Sequence, residues 1–119
     1  MRGKGFSITM WKCQKLITTS DEICSILNKT IELIKMKPLT DFMIAEGSEQ
    51  MPGYSVVRII ETSHIVCHQF SLGNTYILSL ESCKDFDENI LKNYLLEEFK
   101  PKGNNLVVYP IHASVKIKR

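Results

Sequence analysis

Residues 53–83 of the chain concentrate side chains that can act as nucleophiles, bases and proton donors. They are Ser55, Ser63, His64, Cys67, His68 and Cys83. A hydroxyl or thiol beside an imidazole is the arrangement that nucleophilic and general acid–base catalysis require. Each residue alone is commonplace, because a lone strand histidine is usually structural and a lone cysteine usually packs as a small hydrophobic residue. The residue types therefore allow catalysis here, and their spacing must identify it.

Charge and cysteine spacing exclude several classes of protein. The formal net charge is +2, and the densest basic run is only the tail at 116–119, so no binding surface for nucleic acid is indicated. The cysteines Cys13, Cys24, Cys67 and Cys83 lack the paired C-x-x-C spacing of a zinc site. We expect four free thiols and no metal.

Length and hydropathy predict one domain, residues 1–119, in the cytoplasm. No apolar run approaches the roughly 20 residues that span a bilayer, and the N-terminus lacks the apolar centre of a signal peptide. A chain of 119 residues can bury one core, so a composite active site is expected to need a second copy.

One helix is predicted before the reactive segment. It should begin at Thr19, with Glu22 completing a capping box, and end near Lys37 before a proline. Its apolar stripe consists of Ile23, Ile26, Leu27, Thr30, Ile31 and Ile34. This spacing predicts that the helix buries one face only.

A second helix is predicted after the reactive segment. It should begin at Asp85, with Glu88 three residues on, and stop at Lys100 and Pro101. Its stripe consists of Phe86, Ile90, Leu91, Tyr94, Leu95 and Phe99. This helix too should bury one face.

The remaining segments predict an antiparallel sheet. Residues 6–11, 39–45, 54–61, 65–70, 75–80 and 106–111 are rich in β-branched and aromatic residues, which favours strands. The short turns at 47–53 and 71–74 leave no room for crossover helices. The fold class is therefore α+β, a two-layer sandwich with two helices on one face of the sheet. Strand 54–61 contains Val56, Val57, Ile59 and Ile60, interrupted by Arg58, so we expect it to be buried on both sides for most of its length, with a partner's sheet as the second cover.

The spacing of the reactive residues resembles the S-adenosylmethionine decarboxylases of bacteria and archaea. The matching residues are Gly-x-Ser55, Ser63-His64-Ile65-x-x-His68, Phe70 and Ser82-Cys83. In that family the run reads approximately E-S-H-I-x-I-H-T-W-P-E, followed by F-T-C. The chain aligns with it from residue 53 to residue 83 without a gap, and both helices and the first strand fall where the family has them.

The resemblance implies a proenzyme that cleaves itself between Thr62 and Ser63. Ser63 attacks the preceding carbonyl to give an ester, and elimination and hydrolysis leave a pyruvoyl cofactor on the C-terminal fragment. His68 matches the family's elimination base, Ser55 its helper in processing, and Cys83 the proton donor after decarboxylation. The pyruvoyl group forms a Schiff base with the substrate amine and draws electrons from the departing carboxylate.

The resemblance also implies a partner and a substrate. In the family the pyruvoyl group and cysteine of one protomer face the serine and histidine of the other, which implies a homodimer with shared active sites. The nominal substrate is S-adenosylmethionine, and the pathway is polyamine (spermidine) biosynthesis.

His64 is expected to be structural, and Cys67 to pack in the core or an interface, because it points away from the strand face of Val66 and His68.

Substrate recognition departs from the family pattern. Leu72 stands where the family has the acid that holds the ribose hydroxyls, and Glu49 stands where it has an adenine-stacking phenylalanine. The alternative is a register shift in the loop, which would bring Phe42 or Met51 near that position. Phe70 keeps an aromatic ring and is a predicted substrate-binding residue. Glu49 is another, because a carboxylate can pair with a guanidinium or ammonium.

Two alternative functions stay open at this point. Leu72 and Glu49 favour a pyruvoyl-dependent arginine or ornithine decarboxylase. The other alternative is a non-catalytic homologue that regulates an active subunit.

Overall fold

The fold is the predicted α+β two-layer sandwich. The computed structural model describes residues 2–61 and 63–112, and side chains over 3–61 and 63–111. Thr62 and the basic run at 116–119 lie outside the described residues. The elements are β1 (Arg2–Trp11), α1 (Ser20–Leu33), β2 (Met43–Glu46), β3 (Tyr54–Ile60), β4 (Ser63–Phe70), β5 (Thr75–Ser82), α2 (Glu88–Phe99) and β6 (Gly103–His112).

In the described part of the chain, six strands form one sheet in the order β2-β3-β4-β5-β1-β6. Every neighbouring pair is antiparallel. The strands β2 to β5 follow each other as hairpins, as the short turns predict. Long-range pairing inserts β1 between β5 and β6, and this brings the two ends of the described chain together.

The helix α1 buries the predicted stripe of Ile23, Ile26, Leu27, Thr30, Ile31 and Ile34. Thr19 is the N-cap residue, but its side chain makes no capping bond; its hydroxyl donates to Glu22 Oε1 at 3.4 Å. The helix ends at Leu33, before the predicted end near Lys37. The reason is a Schellman motif: Lys35 has a φ of 58°, and the Met36 N–H donates to the Ile31 carbonyl at 3.2 Å.

The predicted start of α2 at Asp85 is wrong, because the helix begins at Glu88 with Asp87 as its N-cap. Asp87 Oδ1 accepts the backbone N–H groups of Asn89 at 3.0 Å and Ile90 at 3.2 Å. Asp85 instead accepts the N–H of Phe86 at 2.9 Å. This local bond holds the chain in a turn, so helical geometry starts later.

The end of α2 is as predicted, because Lys100 takes the left-handed conformation and Pro101 follows. Leu91, Leu95 and Phe99 are completely buried. Ile90 belongs to the predicted stripe, yet it is 49% exposed. The apolar face of α2 is therefore narrower than its sequence suggests.

Side chains along each strand point alternately to the face that α1 and α2 cover and to the opposite face, which we call the open face. On β4, Ile65, Cys67 and Gln69 are buried beneath the helices, and the residues between them lie on the open face. On β3, Ile60 is buried while Ile59 is 50% exposed. A single chain leaves one side of β3 open, so its burial on both sides depends on the predicted partner and stays a prediction.

Candidate active site

Ser55 and His68 face each other across β3 and β4 on the open face. The Ser55 Oγ lies 2.7 Å from the His68 Nδ1, a hydrogen bond that fixes the imidazole orientation. Phe70 follows on the same face of β4, with its ring centroid 6.5 Å from the imidazole centroid. A ring held through Nδ1 presents Nε2 to a further group.

Ser63 and Cys83 line a second, separate feature, which we call the Ser63 pocket. It lies where β4 begins and β5 ends, and its volume is about 150 Å³. Its lining residues are Ser63, His64, Glu81, Ser82, Cys83 and Ile111. Ser63 pairs with Ser82 across the strands, and its hydroxyl donates to the His64 carbonyl at 3.3 Å. A nucleophilic hydroxyl and a partly exposed thiol thus share one cavity.

The two groups do not meet within one chain. Ser63 and His68 are five residues apart on β4, which corresponds to about 16 Å at about 3.3 Å per residue. Proton transfer requires heavy atoms about 3 Å apart. A single chain therefore carries two incomplete halves of the predicted site, the Ser63 pocket and the Ser55/His68 pair.

Three residues at or beside the Ser63 pocket lie outside the predicted site: His64, Glu81 and Tyr109. His64 was expected to be structural, but it is exposed, lines the pocket and pairs with Glu81 across β4 and β5. The Tyr109 hydroxyl donates to Glu81 Oε1 at 2.6 Å, and this bond to the carboxylate raises the pKa of Tyr109. Strand alternation was a signal for His64 and Glu81. Tyr109 had none, because it arrives through the long-range pairing of β6 with β1.

The predicted recognition residues lie at the other end of β4. Glu49 is exposed in the loop 47–53, and Leu72 is 69% exposed in the turn after Phe70. The Ser71 N–H donates to the Pro52 carbonyl at 3.0 Å, which ties that turn to the loop. Both segments therefore border the Phe70 end of the open face.

The alternative residues Phe42 and Met51 have different surroundings. The guanidinium carbon of Arg58 lies 4.5 Å from the centroid of the Phe42 ring, and Arg58 Nε also donates to the Thr40 carbonyl at 2.7 Å. On the open face, the residue that pairs with Ser55 is Ala45. Phe42 is thus held by Arg58 at the sheet edge, whereas Met51 is 60% exposed in the loop.

Cys67 lies in the core, as predicted, and is 1% exposed. Burial raises its pKa to about 12, and burial also raises the pKa of Cys13 to about 11. A thiol with such a pKa is a poor nucleophile. All four cysteines are free. Residues 2–61 and 63–112 contain no group of three or more His, Cys, Asp or Glu that could hold a metal.

A larger cavity in the described part of the chain lies away from both reactive groups. It has a volume of about 610 Å³ and lies between the end of α1 and the start of α2. Lys4 lines it and is paired with Asp85 at 2.9 Å and with Glu88. The smaller Ser63 pocket is the better candidate site, because it joins the Ser63 hydroxyl to the Cys83 thiol. Among the described helices, none is long and apolar enough to cross a membrane.

The fold and these residues define a class of small α+β proteins that carry a serine–histidine pair on an uncovered sheet face and a serine–cysteine pocket where two strands end. The chain is similar to the crystal structure of the adenosylmethionine decarboxylase from Aquifex aeolicus VF5, with a TM-score of 0.79 and 13% identity. That match covers 98% of this chain and 96% of the other, and at this identity it shows the fold.

The family model of S-adenosylmethionine decarboxylase matches residues 5–110, so the chain belongs to this family of decarboxylases. No curated protein sequence matches the chain significantly.

Proposed function

We propose that the chain is a self-processing, pyruvoyl-dependent decarboxylase that acts on S-adenosylmethionine in polyamine biosynthesis. Its family supports the decarboxylation. The observation that carries the rest is the combination of Ser63 and Cys83 in one pocket with a hydrogen-bonded pair, Ser55 and His68, on the same sheet. A cytoplasmic location is part of the proposal, because free thiols suit a reducing compartment.

The residues around Ser63 suit its conversion to the pyruvoyl group. Ser63 begins β4 at the wall of a cavity, so its hydroxyl lies beside main chain while the cavity leaves room for a small molecule. When formed, the group supplies a carbonyl that takes up the substrate amine and withdraws electrons as carbon dioxide leaves. Cys83 lines the same cavity, and in this proposal its Sγ donates a proton to the substrate α-carbon.

His68 acts in processing, as the base that removes the Cα proton of residue 63. When Nδ1–H donates to the Ser55 hydroxyl, Nε2 keeps its lone pair and can accept that proton. Ser55 therefore holds the ring in place, and its hydroxyl can accept from Nδ1–H in the tautomer that the reaction needs. Since Ser63 of the same chain lies about 16 Å away along β4, the proton comes from a second copy.

A homodimer completes both sites in this proposal. The open face exposes apolar side chains that a second copy would bury, including Met43 (74% exposed), Ile59 (50%) and Val107 (48%). A twofold arrangement of two such faces joins each Ser63 pocket to the partner's Ser55/His68 pair. Each dimer then carries two complete sites.

Intact-mass measurement of the purified protein tests the proposal. We expect two fragments that meet between Thr62 and Ser63, the C-terminal one carrying a pyruvoyl group, and a single chain for Ser63→Ala. Ser25→Ala, at an exposed position on α1, is the matched control and should cleave fully. A wild-type chain that stays intact, with unmodified Ser63, would refute self-processing and favour the non-catalytic alternative.

Carbon dioxide release decides the substrate. We expect the cleaved protein to release it from S-adenosylmethionine, with arginine and ornithine as comparison substrates. Release from arginine or ornithine alone would refute the proposed substrate while leaving the class of reaction intact.

A further inference from the structure

A row of paired residues crosses four neighbouring strands beside the Ser63 pocket. His64 on β4 pairs with Glu81 on β5, Glu81 pairs with Gly5 on β1, and Gly5 pairs with Tyr109 on β6. Strand alternation puts all four on the open face. Glu81 is the carboxylate in this row, and it lines the pocket with Ser63 and Cys83.

Tyr109 holds Glu81 in one orientation. Its hydroxyl donates to Glu81 Oε1 at 2.6 Å, from two strands away. The ring can reach this far because Gly5 lies between them without a side chain; a Cβ atom there would collide with the Tyr109 ring. The pair is thus built from three strands, and one carboxylate oxygen remains for another group.

No lysine or arginine in the described part of the chain forms an ion pair with Glu81. The ion pairs of that part join Lys4 to Asp85 and Glu88, Lys15 to Glu98, and Lys29 to Glu32. Burial of a carboxylate beneath a second protomer costs much free energy when no cation lies beside it. A cationic ligand in the Ser63 pocket removes this difficulty.

We propose that Glu81, held by Tyr109, binds the α-ammonium group of the substrate. The inference rests on the proposed function, in which the amine must reach residue 63 and the α-carbon must reach Cys83. The pocket, with a volume of about 150 Å³, has room for the head of an amino acid. Glu81 Oε2 accepts the ammonium hydrogens, and like charge directs the substrate carboxylate away from Glu81.

The test measures binding by calorimetry, with probes that cannot lose carbon dioxide. The probes are the methyl esters of S-adenosylmethionine, arginine and ornithine, each compared with the same ester lacking the α-amino group. We expect that Glu81→Gln weakens binding by about 10- to 100-fold for the amine-bearing ester that the wild type binds. The ester without the amino group should bind equally to both proteins.

Two further variants test the support of Glu81. Tyr109→Phe removes one hydrogen bond and should weaken the binding of the same ester by about 2- to 10-fold. Gly5→Ala should reproduce that loss, because its methyl group displaces the Tyr109 ring. Glu97→Gln, an exposed acid on α2 outside the pocket, is the control and should bind like the wild type.

The outcomes separate this inference from the proposed function. Intact mass and thermal unfolding show whether each variant still cleaves and folds. If the wild type cleaves and Glu81→Gln binds the amine-bearing ester within twofold of it, or if the wild type binds none of the three esters, the inference is wrong. A wild type that does not cleave refutes the proposed function first.

Discussion

Mixing two inactive variants should restore self-cleavage if the site is shared between chains. His68→Ala keeps Ser63 and Cys83, whereas Ser63→Ala keeps Ser55 and His68. Neither variant should cleave alone. In a mixed dimer, Ser63 of the first chain meets His68 of the second, so the His68→Ala chain should cleave while the Ser63→Ala chain stays intact.

The expected yield follows from the geometry. Because Ser63 and His68 of one chain are about 16 Å apart along β4, and proton transfer needs about 3 Å, cleavage within a single chain should be negligible. Random mixing of equal amounts puts about half of each variant in mixed dimers. About half of the His68→Ala chains should therefore be cleaved when both are co-expressed.

Intact-mass measurement reads this result directly, because the two variants differ in mass. Co-expression of His68→Ala with His68→Asn is the control: both lesions fall in the same half of the site, so no cleavage should appear. Cleavage of His68→Ala alone would show that His68 is not the base. Mixed dimers that form, as native mass spectrometry would show, but contain no cleaved chain would refute the shared site.

Two further predictions concern the core and the thiols. Phe99 is fully buried, and its ring centroid lies 4.6 Å from that of Tyr76. In denaturant titrations, Phe99→Ala should therefore lower the free energy of unfolding by about 3–5 kcal/mol, whereas Ile90→Ala, at a half-exposed position, should lower it by about 1 kcal/mol. Equal losses would mean that α2 presents a different face to the core. Iodoacetamide should label Cys83, which is partly exposed in the Ser63 pocket, far faster than Cys67. The reason is that the pKa of Cys67, about 12, and its exposure of 1% leave little reactive thiolate. Peptide mass spectrometry measures the labelling, and fast labelling of Cys67 in the folded protein would contradict its place in the core.

The local elements were predictable because their signals are local. The stripe from Ile23 to Ile34 has the helical period, and the turns at 47–53 and 71–74 are too short for anything except hairpins. The errors also have local causes. Asp85 and Asp87 are both good capping residues; in the structure Asp85 accepts the N–H of Phe86, and Asp87 caps the helix.

The site was predictable in part. The register of β3 and β4 follows from a tight hairpin, so the contact between Ser55 and His68 was within reach of sequence reasoning. The roles of these residues, and of Ser63 and Cys83, stay predictions. Glu81 was overlooked because an acid on a strand is usually a solvated surface residue, and nothing near it in sequence indicates Tyr109.

The sequence by itself determined the two amphipathic helices, the hairpins and the family-like spacing from Ser55 to Cys83, since each depends on neighbours along the chain. Tertiary structure decided which reactive residues meet. It separated Ser63 from His68 along β4, and it brought Tyr109 across Gly5 to Glu81. The physical reason is that the pairing of β1 with β5 and β6 depends on burying a shared core between segments far apart in sequence, which no local pattern encodes.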